Sequence, residues 1–272
     1  MDGPPPSSTT PTTDPSKLES TNTTTTLPPL PLNLSTHKPF ITLHWLPIML
    51  TSGILPITLY FALHYGTSLS LTVVLTIPLV LMGVVSLTAL LRRSWRLSCK
   101  ESACRPLGCE AMRWSGDFFH WNFLGGFVVL TVVISVEIGV GSLCALPLSL
   151  PIFYISVELL IAQVAMRAGW RTPVRMSSLP RGSPTHPGTF ILVEDVVAVD
   201  GGLGREWREV WGRRYEADGE LRALLRRLDL LWAINKDIGY TVGWGLPWVW
   251  AGDMVVITIW MVKRMLRRQR GR

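Results

Sequence analysis

Between Leu69 and Leu91 the chain runs for 23 residues without a charge, LSLTVVLTIPLVLMGVVSLTALL, and stops against Arg92, Arg93, Arg96 and Lys100. The hydrocarbon core of a bilayer is about 30 Å thick and an α-helix rises about 1.5 Å per residue, so roughly 20 apolar residues cross it. The run is long enough to span. The basic cluster behind it marks the end that stays in the cytoplasm, because short loops rich in Lys and Arg resist translocation. Composition agrees: 48% of the 272 residues are hydrophobic and only 17% charged, with a mean hydropathy of +0.31, too apolar for an ordinary soluble domain.

Apolar segments run at 44–63, 69–91, 123–144, 147–166 and 241–262, and all 26 Lys and Arg lie outside these five. The fold class this predicts is an all-α polytopic membrane protein. Pro47, Pro56, Pro78 and Pro151 fall inside the segments and predict kinks, tolerated where neighbouring helices satisfy the freed carbonyls. Trp45, Trp95, Trp121, Trp170, Trp244 and Trp260 lie within or near segment ends, the headgroup level that an indole ring prefers. The net charge of +7 collects at those ends rather than on one folded face, which selects anionic lipid headgroups over nucleic acid as the counter-charge.

Residues 1–38 are Pro/Ser/Thr-rich and predict a disordered tail, since such a segment buries too little apolar surface to offset its ordering entropy. Its Asn22 and Asn33 sequons are expected to stay unused on the cytoplasmic side. The region 40–166 reads as four transmembrane helices around the basic loop 92–122, followed by a cytoplasmic loop at 167–240, a last hydrophobic segment at 241–262 and a basic tail at 263–272. The three basic stretches hold six, twelve and six Lys/Arg respectively, so all three should be cytoplasmic in the plasma membrane or an endomembrane. A single crossing cannot join two cytoplasmic stretches. Parity therefore requires that 241–262 is re-entrant, that the tail is translocated, or that a sixth span is missing. The stub Leu228–Ile234 opens like a hydrophobic helix but is too short to cross.

The 167–240 loop is the candidate folded unit. TFILVEDVVAVDGG predicts one or two short strands of β-branched residues closed by Gly201-Gly202, giving a small mixed loop. From Arg205 onward Trp207, Val210, Trp211, Leu221, Leu224, Leu225, Leu228 and Leu231 recur at spacings of three and four, a basic amphipathic helix interrupted at Asp218-Gly219. Its Arg208, Arg213, Arg214, Arg222, Arg226 and Arg227 are candidates to grip acidic headgroups, or the helix packs against its own bundle.

Strings such as Arg175-Met-Ser-Ser-Leu-Pro-Arg-Gly-Ser-Pro184, Val193-Glu-Asp-Val-Val-Ala-Val-Asp-Gly-Gly202, Asp117-Phe-Phe-His-Trp121 and Gly243-Trp-Gly-Leu-Pro-Trp-Val-Trp-Ala-Gly252 carry a resemblance. Over roughly residues 40 to 265 the chain resembles a group of uncharacterised multi-pass membrane proteins of filamentous fungi. The resemblance carries over no activity. It implies a full span between Leu228–Trp232 and the Gly243 string, which this chain lacks.

Glu137, Glu158 and Asp253 are the three carboxylates inside the apolar segments. An ionised acid in mid-bilayer is expensive, so such groups mark ion or proton pathways or act as interhelical hydrogen-bonding glue. On consecutive helices, Glu137 and Glu158 are expected at similar depth, able to share a proton. Cys99, Cys104 and Cys109 are spaced too widely for a structural zinc site, with His120 the only nearby fourth ligand, and read as reduced thiols. Glu194, Asp195 and Asp200 would hold a divalent ion if the loop were a membrane-surface enzyme. No catalytic motif, cofactor loop or metal signature is present, and Ser177, Ser178 and Ser183 are weak phosphorylation candidates. The expectation is a membrane-embedded scaffold or interaction protein without a cofactor, with a small-solute or proton transporter as the alternative and a metal-binding surface enzyme as the second.

Overall fold

The computed structural model describes residues 50–99, 103–109, 115–140, 149–233 and 246–270. The N-terminal tail with its two sequons, Trp45, Trp244, the turn at 145–146 and the side chain of Glu137 lie outside the described residues. The helices are α1 (Leu55–Gly66, entered through a π-helical turn at Leu50–Ile54), α2 (Leu71–Ser98), α3 (Phe118–Val140) and α4 (Ser149–Arg167). Then come α5 (Gly188–Asp195, running on into a π-helical turn at Val196–Asp200), α6 (Gly204–Ala217), α7 (Gly219–Ala233) and α8 (Leu246–Arg270).

Among the described residues α2 is the one helix long and apolar enough to cross a membrane, and the apolar stretch Phe118–Val133 of α3 is shorter. Its outward side is apolar, with Val80, Leu81, Val84, Leu87 and Leu91 all exposed. The hydroxyls of Thr76 and Thr88 donate to the carbonyls of Thr72 and Val84 at 2.7 Å, four residues back, as Thr131 and Ser135 do on α3. Such hydroxyls need neither water nor a neighbouring helix, which suits a surface facing lipid. Past the apolar run α2 continues to Ser98, where Arg105 caps it: Nε donates to Leu97 O at 3.1 Å and Nη2 to Ser98 O and Cys99 O at 3.2 and 2.9 Å. A guanidinium there complements the negative end of the helix dipole.

The expected strands do not form. Thr189 to Asp200 is helical, and the β-type pairing among the described residues is confined to two isolated bridges, Arg171 with Pro184 and Met176 with Leu179. The buried residues Phe190, Ile191, Glu194, Asp195, Ala198 and Val199 recur as pairs four apart, one face of a helix rather than the alternate residues of a strand. Asp229 of α7 supplies the start signal that the local sequence lacks. Its Oδ2 accepts the Gly188 N–H at 2.7 Å and its Oδ1 the Thr189 N–H at 2.8 Å, putting a carboxylate on the positive end of α5. Tertiary capping and packing here outweigh β-branched propensity.

The break at Asp218 is where the sequence placed it. Asp218 Oδ1 accepts the N–H groups of Glu220 and Leu221 at 2.9 and 3.0 Å and caps α7. Around this corner Phe190, Trp207, Trp211, Tyr215, Leu221, Leu224, Leu225 and Leu228 form one core, with Met261, Val262 and Met265 of α8 packed on it. Trp211 Nε1 donates to Phe190 O at 3.1 Å, giving its one polar atom a partner inside that core.

Helices α7 and α8 run antiparallel. Trp232 Nε1 meets Thr258 Oγ1 at 3.3 Å, and Gln269 Nε2 donates to Asp218 Oδ2 at 2.7 Å. The basic end of α8 therefore lies beside α6 and the start of α7. Ser156 of α4 donates to Trp232 O at 3.0 Å and Gln163 to Arg226 O at 2.9 Å, so α7 also runs antiparallel to α4. The stub Leu228–Trp232 is the end of this fifteen-residue helix, not a separate element.

A candidate functional site: a buried ionic cluster at the helix ends

Where α2 ends and α3 begins, six ionisable side chains from distant parts of the sequence converge. Arg93 of α2 donates from Nη2 to Asp117 Oδ2 at 2.6 Å and to Asp195 O at 3.2 Å, while its Nη1 pairs with Asp200. Its guanidinium also lies 4.6 Å from the centre of the Phe119 ring. Arg208 of α6 donates from Nη1 to Glu194 Oε1 at 2.7 Å and Asp195 Oδ1 at 2.6 Å, and from Nη2 to Cys104 O at 3.2 Å and Asp117 Oδ2 at 3.3 Å. Both arginines and Asp117, Glu194 and Asp195 are buried; Asp200 alone reaches solvent.

The remaining lone pairs are used by backbone. Asp117 Oδ1 accepts the His120 N–H at 2.8 Å and caps α3, and Asp195 Oδ2 accepts the Phe119 N–H at 3.0 Å. Ser177 Oγ accepts the Phe118 N–H at 2.9 Å and bonds Asp195 Oδ2, from a backbone held at φ +52°. That left-handed conformation is unusual for serine, and the tight Met176–Leu179 turn and the two hydroxyl contacts hold it. Arg175 anchors the same turn to the Leu107 and Gly108 carbonyls.

Four carboxylates face two guanidinium groups, so negative charge is in excess. Asp195 answers by binding its proton more tightly: its pKa rises from 3.8 to about 7, chiefly through burial and then through the Asp117 charge, with Arg208 opposing. Burial works against the charge on Arg208, yet Asp195 and Glu194 outweigh it and the pKa of Arg208 rises. Chemically the arrangement is a clamp. It joins α2, α3, α5 and α6 through charge-assisted bonds and presents its groups to one another.

The candidates read from sequence fall in several places. Arg208 is not a headgroup ligand, because its guanidinium is enclosed in the cluster. Arg214 pairs with Asp218 at 3.4 Å and donates to Gln269, and Arg222 donates to the last carbonyls of α6 at Tyr215 and Glu216. Arg213, Arg226 and Arg227 are exposed. Glu194 and Asp195 meet Arg208, and Asp200 meets Arg93; among the described residues no three His, Cys, Asp or Glu side chains stand together as a metal site. Cys99, Cys104 and Cys109 form no disulfide, and Ser177 is buried against Asp195, closed to a kinase without unfolding.

Glu158 belongs to a second polar group, in which Asn122 Nδ2 donates to Glu158 Oε2 and Tyr154 OH donates to Asn122 Oδ1 at 3.0 Å. That contact corrects the expected depth of the two acids. Glu137 is fifteen residues beyond Asn122 on α3, which places it about 22 Å further along the helix axis than the partner of Glu158. Asp253 is exposed on α8.

Arg93 and Asp117 were missed as site residues because they meet each other across a loop, 24 positions apart, and their other partners lie about a hundred positions away in sequence. The local signal for Asp117 was its place just before an aromatic, apolar helix, an N-cap position.

No curated protein and no solved structure matches the chain. A family model described as "Domain of unknown function (DUF8766)" matches residues 16–271. The match takes in every element of the cluster, and on it the chain belongs to the DUF8766 family.

Proposed function

We propose that this is a multi-pass integral membrane protein of scaffold or interaction type, whose α5–α7 unit is held as a rigid cytoplasmic face on the ends of its transmembrane helices. One observation carries the reading: the cluster spends its ionisable groups on joining α2 and α3 to α5 and α6. The resemblance to multi-pass membrane proteins of filamentous fungi points the same way. In this reading the parity conflict dissolves. The helix α8 is then the outward arm of a re-entrant hairpin that packs antiparallel on α7, because Gln269 and Asp218 bring its basic end back to the side of α6. Topology reporters at residue 105, residue 190 and the C-terminus should all report the cytoplasm. A C-terminus on the opposite side from residue 190 would refute the hairpin.

A second reading, a proton or small-solute transporter, is favoured by the Asn122–Tyr154–Glu158 group inside the α3–α4 pair. It uses Glu158 alone. Glu158→Gln abolishes ion-dependent flux in proteoliposomes if this reading holds, and leaves abundance and partner binding unchanged if the scaffold reading holds.

A further inference from the structure

Contacts between helices fix relative depths that no single helix reveals. Arg93 and Asp117 share one level through their ion pair. Asn122 lies five residues further along the chain and pairs with Glu158, Ser156 lies two residues before Glu158 on the returning helix α4 and so two residues deeper, and Ser156 meets Trp232, which meets Thr258. At about 1.5 Å per residue, Trp232 and Thr258 lie roughly 10 Å inward of the Arg93 level. Counting back out five residues on α7 reaches Arg227, and five and six on α8 reach Lys263 and Arg264. All three return to within about one helical turn of Arg93.

Exposure changes character at that same level on two separate helices. On α2 the exposed apolar row Val80, Val84, Leu87 and Leu91 gives way to exposed Arg92 and then Trp95, 74% exposed. On α8 exposed Val255, Val256 and Ile259 give way to Trp260, 57% exposed, and then to exposed Lys263 and Arg264. The Arg264 guanidinium lies 5.2 Å from the Trp260 ring centre. An indole at the carbonyl level with a cation stacked above it puts positive charge at the phosphate level.

We propose that Arg227, Lys263 and Arg264, with Trp260 beneath them, form a binding patch for anionic phospholipid headgroups on the outer surface of the α7–α8 hairpin. The proposal rests on the multi-pass reading above. Three positive charges from two packed helices lie at one depth, and the exposed acid on α8, Asp253, lies seven residues deeper than Trp260, about 10 Å away along the axis. A phosphate beside Lys263 and Arg264 therefore meets positive charge with the Asp253 carboxylate well below it. The patch differs from the headgroup set read from sequence, since Arg208, Arg214 and Arg222 are spent inside the protein.

The test uses the full chain in phosphatidylcholine–phosphatidylserine vesicles mixed four to one, with bromine on the acyl chains of one lipid or the other. Quenching assigned to Trp260 is the difference between the native protein and Trp260→Phe. Brominated phosphatidylserine should quench Trp260 beyond its share of the bilayer. Each of Arg227→Gln, Lys263→Gln and Arg264→Gln should cut the enrichment by about five-fold, the ratio equivalent to about 1 kcal/mol per basic residue. Lys263→Arg should preserve it, and high salt should weaken it. Quenching in simple proportion to lipid content, or enrichment that survives the triple Gln variant, overturns the patch and leaves the multi-pass reading standing. Absence of quenching by either brominated lipid overturns both.

Discussion

The body of α2 and the cluster at its end are a few residues apart, yet they satisfy their polar groups in opposite ways. In the body, Thr76 and Thr88 bond the carbonyls of their own helix and the exposed side is apolar. In the cluster, Arg93, Asp117, Asp195 and Arg208 are satisfied by one another and by groups from other elements, across four helices. The difference teaches where this fold is fragile. A polar group satisfied locally survives any rearrangement that leaves its helix intact, whereas one satisfied at a distance requires every contributor in place.

Removing one member of the cluster should therefore have the largest effect. Arg208→Leu leaves Glu194 and Asp195 buried without their cation and Asp117 with Arg93 alone, and a loss of about 3–5 kcal/mol is expected. Thermal unfolding of the detergent-solubilised protein measures it, with exposed Arg213→Leu as the contrasting surface change, expected within about 0.5 kcal/mol.

Acidity probes the same cluster without mutation. The pKa of Asp195 is raised in the fold, from 3.8 to about 7, so the folded state binds its proton more tightly than the unfolded chain does. Its contribution to stability is complete below pH 3.8 and is lost as pH rises through about 7. Unfolding followed at several pH values across that window should show the decline, and Asp195→Asn should flatten it. An identical slope in the variant would remove Asp195 as the titrating group.

Asp229→Ala removes the two-bond cap of α5 and should cost about 1–2 kcal/mol, with Asn recovering part of the loss. Faster hydrogen exchange confined to the start of α5 would mark the cap as the cause. The smallest effect belongs to the span: Thr88→Val should shift stability by no more than about 0.5 kcal/mol, because its hydroxyl serves only its own helix. A larger change would mean that this face meets a partner rather than lipid.

The same contrast governs what could be read in advance. The long apolar helix beginning near 69, the break at Asp218-Gly219 and the amphipathic spacing of α6 and α7 are written in neighbouring residues, and each was legible. The helix at Gly188–Asp195 was not, because its cap comes from Asp229, about forty positions away, and its β-branched run speaks for a strand. Arg208 looked like one more exposed cation on a basic helix. Only the fold shows that its position among Trp207, Val210 and Trp211 turns it inward. The depth of Glu158 failed for a related reason: counting from the α3–α4 turn ignores how far each helix extends beyond it, which the Asn122 contact reveals.

Hydrogen exchange on the full chain in detergent, comparing the native protein with Arg93→Gln, tests the clamp most directly. If the cluster joins the α5–α6 unit to the span, amides at Phe119 and His120 and those of residues 188–200 lose protection together with the end of α2. Loss confined to residues around Arg93, with 188–200 as protected as before, would contradict it.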